Sequence, residues 1–258
     1  MISNVLRGAD PELFLRDMKD NTPVVSIGKI GGTKTSPREI GGGFALQEDN
    51  VTVEFNIPPA SSKQQFQASI SFMLEFLRAE LEPKGLTLDI SATQDFTLLD
   101  LSHPQAQELG CEPDYNAWTG RVNPRPIAPE TLRSSGGHLH IGYDNPSAKL
   151  SREIIKAHDL FCGVASLIYD SDSRRRDIYG KAGACRIKGY GVEYRTLSNF
   201  WIRSPELTAW LYEQSEKAIN FVNKGNTIDV NTGKSIIKCI NTGDMDLLAS
   251  LDKQYSIL

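Results

Sequence analysis

An α+β fold built on a largely antiparallel sheet is predicted by three features of this sequence. Four short stretches, Asp10-Pro-Glu12, Thr52-Val-Glu54, His138-Leu-His140 and Glu193-Tyr-Arg195, each set two polar groups two residues apart between apolar neighbours. Side chains i and i+2 of an extended strand leave it on the same side. The polar pairs therefore line one sheet face, while Val53, Phe55, Leu139, Ile141, Val192 and Tyr194 fill the other. A hairpin pattern spans residues 43–57, and single helices separate the strands in an order that is not a regular βα alternation. Helices packed on the apolar face would leave the polar face to line a cleft.

Taken in order, residues 5–16 read as a strand, and Gly28 to Gly43 as a glycine-rich loop containing Pro37. Gly43–Leu46 and Val51–Ile57 form the hairpin, turning at Glu48-Asp49-Asn50, and Pro58-Pro59 ends it. The clearest helix follows. Ser61 or Ser62 caps it, and Phe66, Ile70, Met73, Leu74, Leu77 and Leu81 lie on one face of a 3.6-residue period before Pro83 and Gly85 stop it. Thr87–Thr93 reads as a strand. Ser102-His-Pro-Gln105 resembles a capping box opening a short helix that ends at Gly110. Residues 111–131, rich in Pro, Asn and aromatics, read as a long ordered loop of the kind that carries function.

Leu139–Tyr143 is a strand, and Ser151–Tyr169 an apolar helix with Ser as its cap. Val192–Leu197 is the last strand. Ser204-Pro205 opens a third helix whose buried face is Leu207, Trp210, Leu211, Ala218, Phe221 and Val222, closed by Gly225. The rest reads as two short helices. Residues 1–258 are expected to form a single domain, its motifs within 5–203 and a helical part at 204–258.

Composition narrows the function. The 258 residues are 40% hydrophobic and 23% charged with a net charge of −4, which suits a globular protein and offers no general grip on nucleic acid. The densest basic run, Arg174-Arg175-Arg176, is followed at once by Asp177. Cys111, Cys162, Cys185 and Cys239 are widely spaced without a Cys-x-x-Cys, so neither a zinc–thiolate site nor a disulfide scaffold is expected. The N-terminus shows no signal-peptide core and no run reaches membrane-spanning length; the expected location is cytoplasmic, with no membrane partner.

Each polar pair also has a plain structural reading. Asp10 and Glu12 could blunt an edge strand around Pro11. Glu54 could be an outward strand charge, and Glu193 and Arg195 a simple ion pair. His138 and His140 follow Gly136-Gly137, where backbone approaches something closely, which favours a ligand site; His103 and His158 read as structural. Arg174, Arg175, Arg176, Lys181, Arg186 and Lys188 alternate with glycines, as in loops that receive phosphate. Gly28 to Thr35 imitates a phosphate-binding P-loop but has Thr33 where glycine precedes the lysine, and no helical period follows. Lys34 is kept only as a phosphate or substrate contact. There is no Gly-x-Ser-x-Gly and no cysteine with an evident base. Several carboxylates with one or two imidazoles suit Mg²⁺ or Mn²⁺, and metals with arginines suit a nucleoside triphosphate.

The ordered set Gly8-Ala-Asp10-Pro-Glu12, Gly31-Gly-Thr-Lys34, Asp49-Asn-Val-Thr-Val-Glu54-Phe-Asn-Ile-Pro, Gly110-Cys-Glu-Pro-Asp114, Gly136-Gly-His138-Leu-His140-Ile-Gly and Tyr190-Gly-Val-Glu193-Tyr-Arg195-Thr-Leu-Ser resembles the phage-type carboxylate–amine ligases, or amidoligases. That family is similar in its catalytic domain to glutamine synthetase and γ-glutamylcysteine ligase. The resemblance implies a glutamine synthetase-like sheet lining a metal and ATP funnel. It also implies an ATP-dependent ligase that makes an amide or peptide-like bond through an acyl phosphate, with two divalent ions (Mg²⁺ or Mn²⁺). By motif position Asp10, Glu12, Glu54, His138 and Glu193 would be metal ligands. Arg195 and Glu193 would be catalytic, and Lys34, His140, Arg176, Lys181 and Arg186 would contact ATP or substrate. A further hairpin ligand would be Glu48 or Asp49. The alternatives are a phosphotransferase acting on a nitrogen acceptor and a non-catalytic binding or virion protein. The substrates implied are a small-molecule or peptide carboxylate and an amine, in a host cytoplasm if the protein is phage-encoded. Removal of activity without a change in thermal midpoint is expected for Glu193→Gln.

Overall fold

The structure, a computed structural model, describes residues 1–107, 114–124 and 129–258. In chain order the strands are β1 (Leu6–Asp17), β2 (Pro23–Val24), β3 (Arg38–Gly41), β4 (Phe44–Asp49), β5 (Thr52–Asn56), β6 (Leu86–Asp89), β7 (Thr93–Asp95), β8 (Tyr115–Asn116), β9 (Leu132–Ser134), β10 (Gly137–Gly142), β11 (Ala184–Lys188) and β12 (Gly191–Tyr194). The helices are α1 (Lys63–Leu81), α2 (Pro104–Gln107), α3 (Ala148–His158), α4 (Ser173–Ile178), α5 (Pro205–Asn223), α6 (Val230–Thr242) and α7 (Met245–Tyr255).

The predicted α+β class holds. The main sheet runs β3-β4-β5-β1-β10-β12-β11-β8, with β2 and β6 added at the far end of β1, and every pairing is antiparallel. The strands that carry the four polar pairs are therefore consecutive neighbours, β5-β1-β10-β12. Register sets Glu12 opposite Glu54, Asp10 opposite His138 and His140 opposite Glu193. On the other face Val53, Phe55, Leu139, Ile141, Val192 and Tyr194 are fully buried. They pack against Phe66, Ile70, Met73 and Leu77 of α1, Ile154 and Ile155 of α3, and Leu211 of α5.

Helix α1 buries the six residues its periodicity predicts, and Ser62 caps it by accepting from Gln65 N at 3.2 Å. Ser204 caps α5 in the same way. That helix is rotated from the predicted face. It buries Thr208, Tyr212, Ser215 and Ile219 beside Leu211 and Ala218, and leaves Leu207, Trp210, Phe221 and Val222 half-buried. Counting apolar residues alone missed this, because Thr208 and Ser215 are buried by virtue of hydrogen bonds to Trp201 O and Arg7.

Other expectations need correction. The end of the glycine-rich segment is strand β3, and the basic segment before Glu193 contains helix α4 and strand β11. The cap of α3 is Ser147, and the helix does not continue to Tyr169 as one regular α-helix. It widens to a π turn over Asp159–Gly163, where the Asp159 carboxylate reaches the sheet and Gly163 passes so close to Tyr194 and Ile240 that a Cβ would not fit. No capping box forms at Ser102. Gln105 N donates to His103 Nδ1, and the Gln105 amide donates to Glu48 O. The predicted helix end at Gly110 and most of the Gly110–Asp114 motif lie outside the described residues. Within 111–131, strand β8 joins the sheet by pairing with β11.

Candidate active site

Because the strands are neighbours in register, alternate side chains gather into two groups on the polar face. Asp10, His140 and Glu193 offer three ligand atoms that all lie within 4.8 Å of one another; Glu12, Asp49 and Glu54 form a second such group. His138 lies beside the first. Its Nδ1 is 3.3 Å from Asp10 Oδ1 and 3.8 Å from Glu193 Oε1, and His140 Nε2 is 3.1 Å from Asp10 Oδ2.

Sequence left Glu48 and Asp49 equivalent, and geometry separates them. The Glu48 carboxylate accepts four backbone N–H groups, from Gly28, Lys29, Ile30 and Gly31 at 2.8–3.0 Å. It holds the glycine loop closed, while Asp49 turns to Glu12 and Glu54. Glu12 in turn is fixed by Gly136 N, which donates to Oε2 at 2.7 Å, and by Asn199, whose amide donates to the Glu12 carbonyl at 2.8 Å.

The cations sit at one end. Arg195 pairs with Glu193 and donates to the Tyr179 hydroxyl from Nε at 2.7 Å and from Nη2. Arg186 Nη1 and Lys188 Nζ are 3.7 and 3.4 Å from the Glu193 oxygens. Tyr179 also lies between Arg175 and Arg195, each guanidinium 5.4 Å from its ring centre. Tyr190 bonds His140 Nδ1. Tyr179 was not singled out from sequence, and Tyr190 and Lys188 were named only within a motif and a basic segment, with no role of their own.

Electrostatics divide the acids. Burial raises the Glu193 carboxyl, but Arg195 together with the His138 and His140 imidazoles outweighs it and leaves the group below its ordinary range. Burial likewise opposes ionisation of Asp10, yet the His140 and His138 imidazoles hold it low. Glu54 is pushed well above the ordinary value by burial first, then by the charges of Asp10, Glu12 and Asp49. Burial also raises Glu12.

The remaining predicted contacts are dispersed. Lys34 and Lys181 are exposed. Arg176 is buried and donates to the Asp170 carbonyl at 2.7 Å, with the Asp170 carboxylate 3.5 Å away. Arg174 bonds Asp95 and Thr93, and Arg175 bonds the Ser135 and Thr196 carbonyls. His103 caps α2 from an exposed position, and His158 is buried between Ile154 O and Ser215.

Comparison with the curated proteins gives no match. Among solved structures, GmaS in complex with ADP aligns at 10% identity, covering 98% of this chain and 68% of that one, with a TM-score of 0.43. GmaS without ligand gives 11% identity, 98% and 68% coverage and a TM-score of 0.45. A bifunctional glutathione synthetase from Pasteurella multocida gives 10% identity and 0.46; 98% of this chain spans 47% of its length. Residues 129–238 match the family described as phage phiEco32-like COOH.NH2 ligase-type 2. That segment, under half of the chain, contains His138, His140, Glu193 and Arg195, and over it the chain is similar to this family of carboxylate–amine ligases.

Proposed function

We propose that the protein joins a small-molecule or peptide carboxylate to an amine through an acyl phosphate made from ATP, with two divalent cations, Mg²⁺ or Mn²⁺, held on the polar face of the sheet. The observation that carries this reading is the pair of three-residue ligand groups, Asp10/His140/Glu193 and Glu12/Asp49/Glu54, side by side on adjoining strands. The donor chemistry fits hard cations, being five carboxylates to one imidazole. The fit is also seen in His138 Nε2, a buried atom with no hydrogen-bond partner among the described residues. Divalent cations bound there would neutralise a triphosphate and the charge of its transferring phosphoryl group.

The protein's own groups then have distinct tasks. Tyr179 holds the Arg195 guanidinium in one orientation, so that its positive charge is set in advance against oxyanions forming in the reaction. Arg186 and Lys188, beside Glu193, would bind nucleotide phosphates. His138, between Asp10 and Arg195, would be a ligand or a substrate contact, and His140, oriented by Tyr190, a ligand in the first group. Lys34, Arg176 and Lys181 are the outer candidates for phosphate or substrate. Residues 5–203 and 204–258 would work as one domain.

Calorimetric titration with ATP in Mg²⁺ and again in EDTA, followed by turnover in hydroxylamine, tests the reading. Metal-dependent binding with ADP, free phosphate and a trapped hydroxamate is the result expected. ADP with a phosphorylated product and no free phosphate would replace it with a phosphotransferase. Absence of ATP binding in both buffers would replace it with a non-catalytic binding protein.

A further inference from the structure

Arg7 and Asp10 leave β1 on opposite faces, three residues apart. Arg7 therefore belongs to the helix side of the sheet, away from the carboxylate groups. It is only 3% exposed. Its backbone is fixed by paired hydrogen bonds to Ala60. Its Nε donates to Ser215 Oγ at 2.9 Å, and its guanidinium lies 4.3 Å from the centre of the Tyr212 ring.

The hydrogen-bond chain beyond Ser215 brings no negative charge. Ser215 Oγ is 2.9 Å from His158 Nε2, and His158 Nδ1 is 2.8 Å from the Ile154 carbonyl. A carbonyl only accepts, so Nδ1 carries the proton, Nε2 accepts from the Ser215 hydroxyl, and that hydroxyl oxygen accepts from Arg7. Burial, with Arg7 nearby, lowers the His158 pKa to about 4, so the imidazole is neutral at neutral pH. Among the described residues no carboxylate forms a direct ion pair with Arg7, although the charge of Glu216 acts on it. A buried guanidinium without a contacting counter-ion is costly in an apolar interior.

That guanidinium borders a cavity of about 240 Å³, walled by Arg7, Tyr212, Ser61, Ile2 and Ile219, with Glu216 among its lining residues. The volume is that of about eight waters at their liquid share. The cavity is preformed, since Asn223 ties down Ile2 by accepting from its N at 2.6 Å and donating to its O at 3.1 Å. It offers a buried cation, an exposed carboxylate and the side chains of Ile2 and Ile219 in an otherwise polar lining.

We propose that this cavity is a second binding site, for a small α-amino acid, with the ligand's carboxylate on Arg7, its ammonium on Glu216 and its side chain against Ile2 and Ile219. A zwitterion satisfies both charges at once, whereas a simple oxyanion would bring Glu216 into repulsion. The site does not depend on the ligase reading, because it opens on the other side of the sheet and needs neither metal nor ATP.

The test is titration of the full chain in EDTA without nucleotide, using L-alanine, acetate, methylammonium and inorganic phosphate as separate probes. L-alanine is expected to bind about tenfold or more tightly than any of the other three, each of which meets only one of the two charges. Glu216→Gln, at an exposed position, should weaken alanine about tenfold and leave acetate no weaker. Arg7→Met should lose both, with circular dichroism checking its fold. Glu54→Gln, in the ligase site, should leave alanine binding unchanged. Alanine binding no tighter than acetate, insensitive to Glu216→Gln, or lost in Glu54→Gln would overturn the proposal, as would no alanine binding to the unmodified protein.

Discussion

Glu54 and Glu193 occupy the same sheet face with two strands between them, and their surroundings are opposite in sign. Glu193 touches Arg195, Arg186 and Lys188. Glu193→Gln would leave Arg195 buried with that pairing broken, which costs about 3–5 kcal/mol when one member of a buried pair is removed. The variant should lose ATP turnover and also melt at a clearly lower temperature, which replaces the unchanged midpoint expected from sequence. Glu54 is buried beside the like charges of Asp10, Glu12 and Asp49, and its raised carboxyl means the folded chain binds this proton more tightly than the unfolded chain does. Stability from that proton is present at acid pH and is lost as pH rises through the raised pKa. Glu54→Gln should therefore raise the midpoint in EDTA, by more at pH 8 than at pH 4.5, while removing metal-dependent ATP binding. Thermal unfolding of both variants across that range reads the two signs directly. Sequence named both glutamates, but neither sign, because the sign depends on which side chains the register brings opposite. It could not separate Glu48 from Asp49 either, since the four amides that occupy Glu48 come from residues 28–31 in a loop whose path only the fold defines.

At the scale of elements, β10 is entered through two glycines, Gly136 just before it and Gly137 at its first position, with no room for a side chain. A Cβ on Gly136 would collide with the His138 ring, and one on Gly137 with the Trp201 indole nitrogen and the Ser198 carbonyl. Gly136→Ala should displace the imidazole and weaken metal-dependent ATP binding by about tenfold or more, on the scale of lost ligand support. Circular dichroism should remain native; binding equal to the parent protein would show that the imbalance is absorbed elsewhere. The π turn after α3 gives a second prediction. Asp159 is buried there and accepts from Trp118 Nε1 at 2.6 Å, Tyr194 OH at 2.9 Å and Thr196 Oγ1 at 3.2 Å. Burial outweighs these donors and lifts its pKa from 3.8 to about 7. Protonated Asp159 thus favours the fold below about pH 4, and this contribution falls away as pH rises to 7, by on the order of 4 kcal/mol. Asp159→Asn should flatten that part of the stability–pH curve, measured by urea unfolding between pH 4 and 8; an unchanged slope would place the titration elsewhere. The helix itself was legible as an apolar run, but its widening was not, because it answers to Tyr194 and Trp118 rather than to local periodicity.

On the scale of the whole molecule, the polar face concentrates acids that repel one another across strands β5, β1, β10 and β12, and a divalent cation should relieve that repulsion. Mn²⁺ at about one hundred times its dissociation constant should add about 2.7 kcal/mol to unfolding. The midpoint should rise in Mn²⁺, rise less in Glu54→Gln, and return on addition of EDTA; a midpoint indifferent to Mn²⁺ would count against both ligand groups. No helix among the described residues is long and apolar enough to cross a membrane. Sequence by itself determined the class of the fold, the capped helices α1 and α5, and which residues of the four central strands share the polar face, because alternation and capping are local and leave a periodic trace. Tertiary structure alone decided that those strands are neighbours and that Asp49 rather than Glu48 turns to the acids. It also decided that Tyr179 orients Arg195 and that Arg7 borders a cavity on the opposite face. These are contacts between residues far apart in the chain, and local chemistry carries no record of which distant side chain the register will bring within reach.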